Sequence, residues 1–129
     1  MSESEVQQLI TLEAMKHGCL LLRNNSGSFV DGTGRHVRFG LGNSSAKINK
    51  TFKSSDLIGI TTITVTQDMV GKTIGVFTAV ECKDTNWPGE IKTDREIAQN
   101  NFVQLIKSKG GIAGFSNSVE TFIKLLGEQ

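Results

Sequence analysis

Two apolar runs rich in β-branched residues, Asp56–Thr66 and Thr73–Cys82, constrain this chain more than any other feature. Ile, Val and Thr lose rotamer freedom in a helix and pack well on a pleated surface, so both runs read as strands. Gln67-Asp68-Met69-Val70-Gly71-Lys72 joins them, and the order predicts an antiparallel hairpin. Gly59 inside the first run marks a bend or a close approach of another backbone. The second run leaves through Val80-Glu81-Cys82-Lys83. Alternate strand side chains share a face, so Glu81 and Lys83 point to the same side. Ser54-Ser55-Asp56 opens the first run, and a hairpin gathers Asp56, Glu81 and Lys83 toward one end.

The flanking segments read as helices and short strands. Residues 3–17 carry Val6, Leu9, Ile10, Ala14 and His17 on one broad face, with Glu13 near its centre. Ser2 or Ser4 caps this helix, Glu5 suits its first turn, and Gly18 is a stop. Cys19 to Leu22 follows as a strand. Residues 23–53 are rich in Gly, Asn, Ser and basic side chains, with a short strand at Arg35–Phe39 and no clear period from Gly40 to Lys53. Beyond the loop around Asp84–Gly89, Thr93 or Asp94 caps a helix running to about Lys109, with Ile97, Phe102, Leu105 and Ile106 as its apolar side. Gly110-Gly111 ends it. Ile112–Phe115 is a short buried strand, and Asn117 or Ser118 caps a last helix. The reading is an α/β domain over residues 1–129, with helices flanking a mixed sheet and a right-handed strand–helix–strand crossover through residues 94–115.

At 129 residues the chain is long enough for one domain with a proper core. Its formal charge of +1 conceals an uneven distribution. Arg23, Arg35, Arg38, Lys47, Lys50 and Lys53 face only Asp31 within residues 23–53. A local basic field can meet a polyanion at near-zero net charge. The two cysteines, Cys19 and Cys82, have neither metal-type spacing nor the density of a disulfide scaffold. No signal-peptide pattern and no membrane-length apolar stretch is visible, so an intracellular setting is expected. The absence of a Gly-rich loop followed by Lys-Ser or Lys-Thr disfavours an NTPase and a nucleotide cofactor.

Each candidate for chemistry has an ordinary reading beside it. Asp56 and Glu81 are, singly, solvated acids at strand ends. Together they offer hard oxygen ligands for Mg²⁺, which polarises a phosphoryl oxygen and generates hydroxide from bound water. The backbone carbonyl of Cys82 lies near enough to complete the shell, and Lys83 can orient the water and stabilise developing charge. Gln99 is evenly balanced between a solvated helix residue and a contact to water or phosphate. Glu5 is explained by the helix dipole alone, yet it can also reach the metal or its water shell, with Glu3 and Glu13 as rivals. The basic cluster is the natural phosphate contact set, and Ser54 and Ser55 either donate to phosphate or cap the turn. His36 has no partner histidine for zinc, and His17 sits at a helix rim. Cys82 lacks a suitably placed base, which disfavours a thiol nucleophile. Trp87-Pro88-Gly89 is either a wedge against a partner or a packed loop.

These residues resemble the VRR-NUC group of the PD-(D/E)XK nuclease superfamily, particularly its short stand-alone phage and bacterial members. The resemblance runs through Arg23-Asn24-Asn25, Phe39-Gly40, Ser54-Ser55-Asp56-Leu57-Ile58-Gly59, Val80-Glu81-Cys82-Lys83, Gln99-Asn100-Asn101-Phe102 and Gly110-Gly111-Ile112-Ala113-Gly114-Phe115, in family order. It implies a restriction-endonuclease-like core, with Asp56 and Glu81 as metal ligands, Lys83 as catalytic lysine, Gln99 as the helix glutamine and Glu5 as the first-helix glutamate. It further implies a Mg²⁺- or Mn²⁺-dependent endonuclease on DNA, resembling the Holliday junction resolvases, dimeric, in the cytoplasm of a bacterial or phage-infected cell. The polar stretch Gly40–Lys53 is longer than the link expected before the Asp motif. Two other readings stand beside junction cleavage. One is a sequence-dependent or nonspecific duplex nuclease reading the major groove through residues 28–50. The other is a non-catalytic nucleic-acid-binding module.

Overall fold

Ser2 starts the first helix by a reciprocal cap. Its hydroxyl accepts from the Glu5 N–H at 3.2 Å while the Glu5 carboxylate accepts the Ser2 N–H at 2.7 Å. The computed structural model describes residues 2–127. The chain divides into two units, Met1–Thr61 and Thr62–Gln129.

In the first unit, α1 (Glu3–Met15) leads through a turn at Gly18, φ 70°, into β1 (Cys19–Arg23). The helix half-buries Gln7, Thr11 and Ala14, while Val6, Leu9 and Ile10 of the expected face stay exposed. β2 (Gly27–Val30) and β3 (His36–Phe39) form an antiparallel ribbon, and α2 (Ala46–Thr51) follows under a Ser45 cap. β4 (Leu57–Thr61) pairs antiparallel with β1, placing Leu21 opposite Gly59 and burying Ile60. A Cβ on Gly59 would lie 1.8 Å from the Leu20 carbonyl oxygen. The close backbone approach expected of this glycine is therefore what lets β4 lie against β1.

In the second unit a 3₁₀ turn at Gln67–Met69 precedes β5 (Thr78–Cys82). α3 (Asp94–Ser108) carries the chain over to β6 (Ile112–Ser116), which pairs parallel with β5 from Thr78↔Ile112 to Cys82↔Ser116. α4 (Val119–Gly127) follows, and Ser118 caps it by accepting the Thr121 N–H at 3.1 Å. Val103, Ile106, Ala113 and Ser116 are buried. The buried Ser116 hydroxyl is bonded to the Ser118 carbonyl and the Thr121 hydroxyl, so its burial leaves no polar atom unmatched.

Among the described residues the architecture is mixed α/β, with four α-helices and three two-stranded sheets. The expected hairpin between 56–66 and 73–82 does not form, because β4 takes β1 as its partner and β5 takes β6. Partner length also trims both runs. β1 begins only after the Gly18 turn, so β4 ends at Thr61 opposite Cys19. β6 begins only after Gly110-Gly111, so β5 begins at Thr78. No helix among the described residues is long and apolar enough to cross a membrane.

Gly59→Ala should lower the midpoint of urea unfolding followed by circular dichroism, with a loss of about 1–3 kcal/mol or more from overpacking against β1. An unchanged midpoint would show that β1 and β4 stand further apart than described.

Candidate functional site

The C-terminal end of β5 carries a group of polar side chains that interact with α3. Glu81 and Lys83 lie two residues apart, and both reach Gln99 on α3. The Gln99 amide nitrogen donates to Glu81 Oε1 at 2.8 Å, and its amide oxygen accepts from Lys83 Nζ at 2.8 Å. Charge fixes that amide orientation. A flipped amide would aim oxygen at a carboxylate and nitrogen at an ammonium.

Helix geometry explains why Gln99 faces the strands. Positions 96, 99, 100, 103 and 106 form one stripe, half-buried at Glu96, Gln99 and Asn100 and buried at Val103 and Ile106. The stripe expected from apolar residues alone was rotated from this. Ile97, Phe102 and Leu105 remain exposed. A two-stranded sheet covers only a narrow strip of a helix, and Val103 with Ile106 fills it.

Lys83 is held on three sides. Its backbone N–H extends the parallel ladder to the Ser116 carbonyl at 2.9 Å. Its ammonium meets Gln99, and it lies 5.5 Å from the centre of the Phe115 ring. Phe115 stands opposite Glu81 in the parallel register, so its ring shares the face that Glu81 and Lys83 use. Trp87 stacks on the Phe115 ring at 5.4 Å with an interplanar angle of 15°. The indole N–H donates to Glu96 Oε2 at 2.8 Å. Glu96 also closes the capping box of α3, accepting the Thr93 N–H at 3.0 Å and the Lys92 N–H at 3.2 Å. Phe115 and Glu96 were not singled out from the sequence. Thr93-x-x-Glu96 is a capping-box signature that marks Glu96, but the role of Phe115 needs the β5–β6 register.

The remaining candidates lie in the first unit. Asp56 is exposed immediately before β4, and its carbonyl accepts the Asn24 N–H at 2.8 Å. Asn24 is the clasp at this point, since its side chain also donates to Ser54 Oγ at 2.9 Å and to the Ser55 carbonyl at 2.8 Å. Ser54 thus serves the turn before the acid. Glu5 is turned back onto its own helix start, and Glu13 pairs with Lys16 at 3.1 Å and His17 at 3.2 Å. Glu3 is exposed. Arg23, Arg35, Lys47, Lys50 and Lys53 are exposed and Arg38 is half-buried. Among the described residues none of these six forms an ion pair.

The donor chemistry suits a hard divalent cation. Glu81 Oε1 is occupied by Gln99, while Oε2 has no hydrogen-bond partner among the described residues. Carboxylate and carbonyl oxygens are the ligands Mg²⁺ and Mn²⁺ prefer. No group of three or more His, Cys, Asp or Glu side chains placed to hold a metal occurs among the described residues. The free thiol of Cys82 is exposed beside Glu81. Compared with protein-family models, curated proteins and solved structures, the chain matches none.

The Thr93 N–H, the Trp87 indole and the Lys92 N–H together hold the Glu96 carboxyl down at about 2, below its ordinary 4.5. A depressed carboxyl stabilises the fold fully above its unfolded value and loses that contribution as pH falls toward the folded one. Fluorescence of Trp87, the single tryptophan, should therefore change between pH 4.5 and about 2. Glu96→Gln should remove that transition; the same titration in the variant would assign it to another group.

Proposed function

We propose that the chain is a Mg²⁺- or Mn²⁺-dependent endonuclease that hydrolyses DNA phosphodiester bonds, with branched DNA such as a four-way junction as its substrate. The observation that carries this reading is the Glu81–Gln99–Lys83 relay at the end of β5. A carboxylate and an ammonium two residues apart on one strand face are what the PD-(D/E)XK resemblance implies for its Glu-x-Lys pair, and the helix glutamine it implies reaches both. The strand–helix–strand unit with a parallel β5–β6 pair supports the corresponding core.

Glu81 would hold the cation through the oxygen that Gln99 leaves open, with the Cys82 carbonyl beside it. The cation, when bound, supplies Lewis-acid activation of the phosphoryl group and of water. The resemblance gives Asp56 as the second carboxylate, but the hairpin expected to bring it toward Glu81 does not form. Lys83, held by Gln99 and the Phe115 ring, orients the attacking water and stabilises the charge that develops on the phosphate, leaving a 5′-phosphate. Gln99 keeps carboxylate and ammonium apart and correctly aimed. Without it, they could pair directly and neutralise each other. Glu5 is left to helix capping. The basic set of the first unit supplies phosphate contacts, and a homodimer with twofold symmetry suits paired cuts on opposing strands.

The test is incubation with a synthetic four-way junction and a matched linear duplex, in Mg²⁺ or EDTA. Junction cutting that EDTA blocks is expected. Glu81→Gln and Lys83→Met should each lower turnover by about 10²–10³-fold while binding persists. Gln99→Ala should lose less, about tenfold to a hundredfold, since it removes alignment and leaves both reacting groups. Equal cutting of the linear duplex would replace junction specificity with the duplex reading. Binding without cutting in either metal would leave only a binding module.

A further inference from the structure

The β2–β3 ribbon has chemistry that the phosphate contacts do not use. Among the described residues β2 and β3 pair only with each other, with Gly27 opposite Phe39 and Phe29 opposite Val37. Cross-strand partners share a face, so Gly27, Phe29, Val37 and Phe39 lie on one side of the ribbon. The Phe39 ring lies over Gly27, where a Cβ would meet Phe39 Cζ at 2.8 Å. The Phe29 ring stands beside it, centroids 6.5 Å apart and planes tilted by 46°. Both rings remain open to solvent, Phe29 at 54 % and Phe39 at 45 %. The glycine is what lets one ring lie down on the strands while the other stands next to it.

The segment that carries this aromatic pair is cationic. Arg35 immediately precedes β3, Arg38 falls on the ribbon face opposite the rings, and Lys47 and Lys50 belong to α2. The one nearby acid, Asp31, is engaged in the hairpin turn by the Thr33 hydroxyl at 2.6 Å and the Thr33 and Arg35 N–H groups at 2.9 Å. The Thr33 hydroxyl, then the Arg35 N–H, hold its carboxyl below the ordinary value. Ribbon and helix are one piece through the buried Asn43. Its side-chain nitrogen donates to the Gly27 carbonyl at 2.8 Å and the Phe39 carbonyl at 3.0 Å. Its oxygen accepts from Asn49 of α2 at 3.2 Å, and Lys53 Nζ donates to Asn49 at 2.6 Å.

We propose that the β2–β3 ribbon is a stacking platform for unpaired nucleobases, with Phe29 and Phe39 taking the bases and the adjoining cations taking the backbone. Flat apolar faces on a segment rich in cations without ion-pair partners among the described residues complement a ligand with planar rings on a phosphate chain. Bases inside a duplex are already stacked, so the platform selects strands where pairing is broken, as at a branch, gap or end. This rests on the nucleic-acid part of the proposed function and is independent of hydrolysis.

The experiment measures binding of the full chain in EDTA at low salt to a short single strand carrying one 2-aminopurine, and to its duplex. Stacking on the ribbon should quench the 2-aminopurine in the single strand. Phe29→Ala should weaken single-strand binding about tenfold and abolish the quench, with duplex binding held by the lysines and arginines and unchanged. Phe29→Leu keeps apolar volume without a ring face and should lose the quench with the fold intact by circular dichroism. Parent-like quenching in either variant overturns the platform, as does an equal loss on the duplex or no binding to either nucleic acid. Glu81→Gln separates the two ideas, because it should stop cutting and leave the quench in place. If it still cuts while the Phe29 results hold, Glu81 is removed from the active site and the platform survives.

Discussion

A single side-chain amide sets the chemistry that the second unit can offer. Gln99 gives its nitrogen to Glu81 and its oxygen to Lys83. No other uncharged side chain of that length presents a donor and an acceptor from one planar group. A carboxylate and an ammonium left to themselves on one strand face would close into an ion pair, with the base neutralised by the acid. The intervening amide preserves both charges and separates them by a fixed span. Everything else nearby reinforces that geometry. The ladder bond from Lys83 to Ser116 fixes the backbone, Phe115 fixes the ammonium, and Trp87 with Glu96 fixes Phe115 and the start of α3.

Much of this was legible in the residues, and the failures have definite causes. The Glu81-x-Lys83 spacing requires only strand alternation, and of the paired cap candidates Thr93 or Asp94 and Asn117 or Ser118 the structure uses Thr93 and Ser118. Gly59 marks a bend or a close approach in the sequence, and the Leu20 carbonyl is the neighbour that decides for close approach. The expected hairpin fails because partner choice is nonlocal. Two adjacent β-branched runs look like arms of one turn, but β1 and β6 offered the registers that were taken. The second failure concerns α3. Counting apolar residues selects Ile97, Phe102, Leu105 and Ile106; of these the narrow sheet buries Ile106, takes Val103 with it and turns Gln99 inward.

The short elements between 23 and 53 were hidden for a different reason. α2 has six residues, fewer than two turns, so it cannot show a period. β2 is Gly-Ser-Phe-Val, too short and too polar to stand out. Isolated two-stranded ribbons are marginal in water, and this one is held by contacts that sequence pattern does not display. Gly40, at φ 100°, admits the backbone of Asn25 and Ser26 so closely that a Cβ would collide with them, and Asn43 ties both strands from beneath.

Asn43 gives the basic segment a property that none of its charges could confer. One amide suspends the ribbon by two donated bonds and receives α2 through its oxygen, so the two pieces hang from a common hinge-pin. A carboxylate of equal size would have nothing to donate there and would repel both carbonyls. Release of that pin would loosen rings and lysines in the same event. Amide exchange across residues 27–53 should accordingly behave as one cooperative block, and a nucleic acid that grips either piece would quiet the motion of the other.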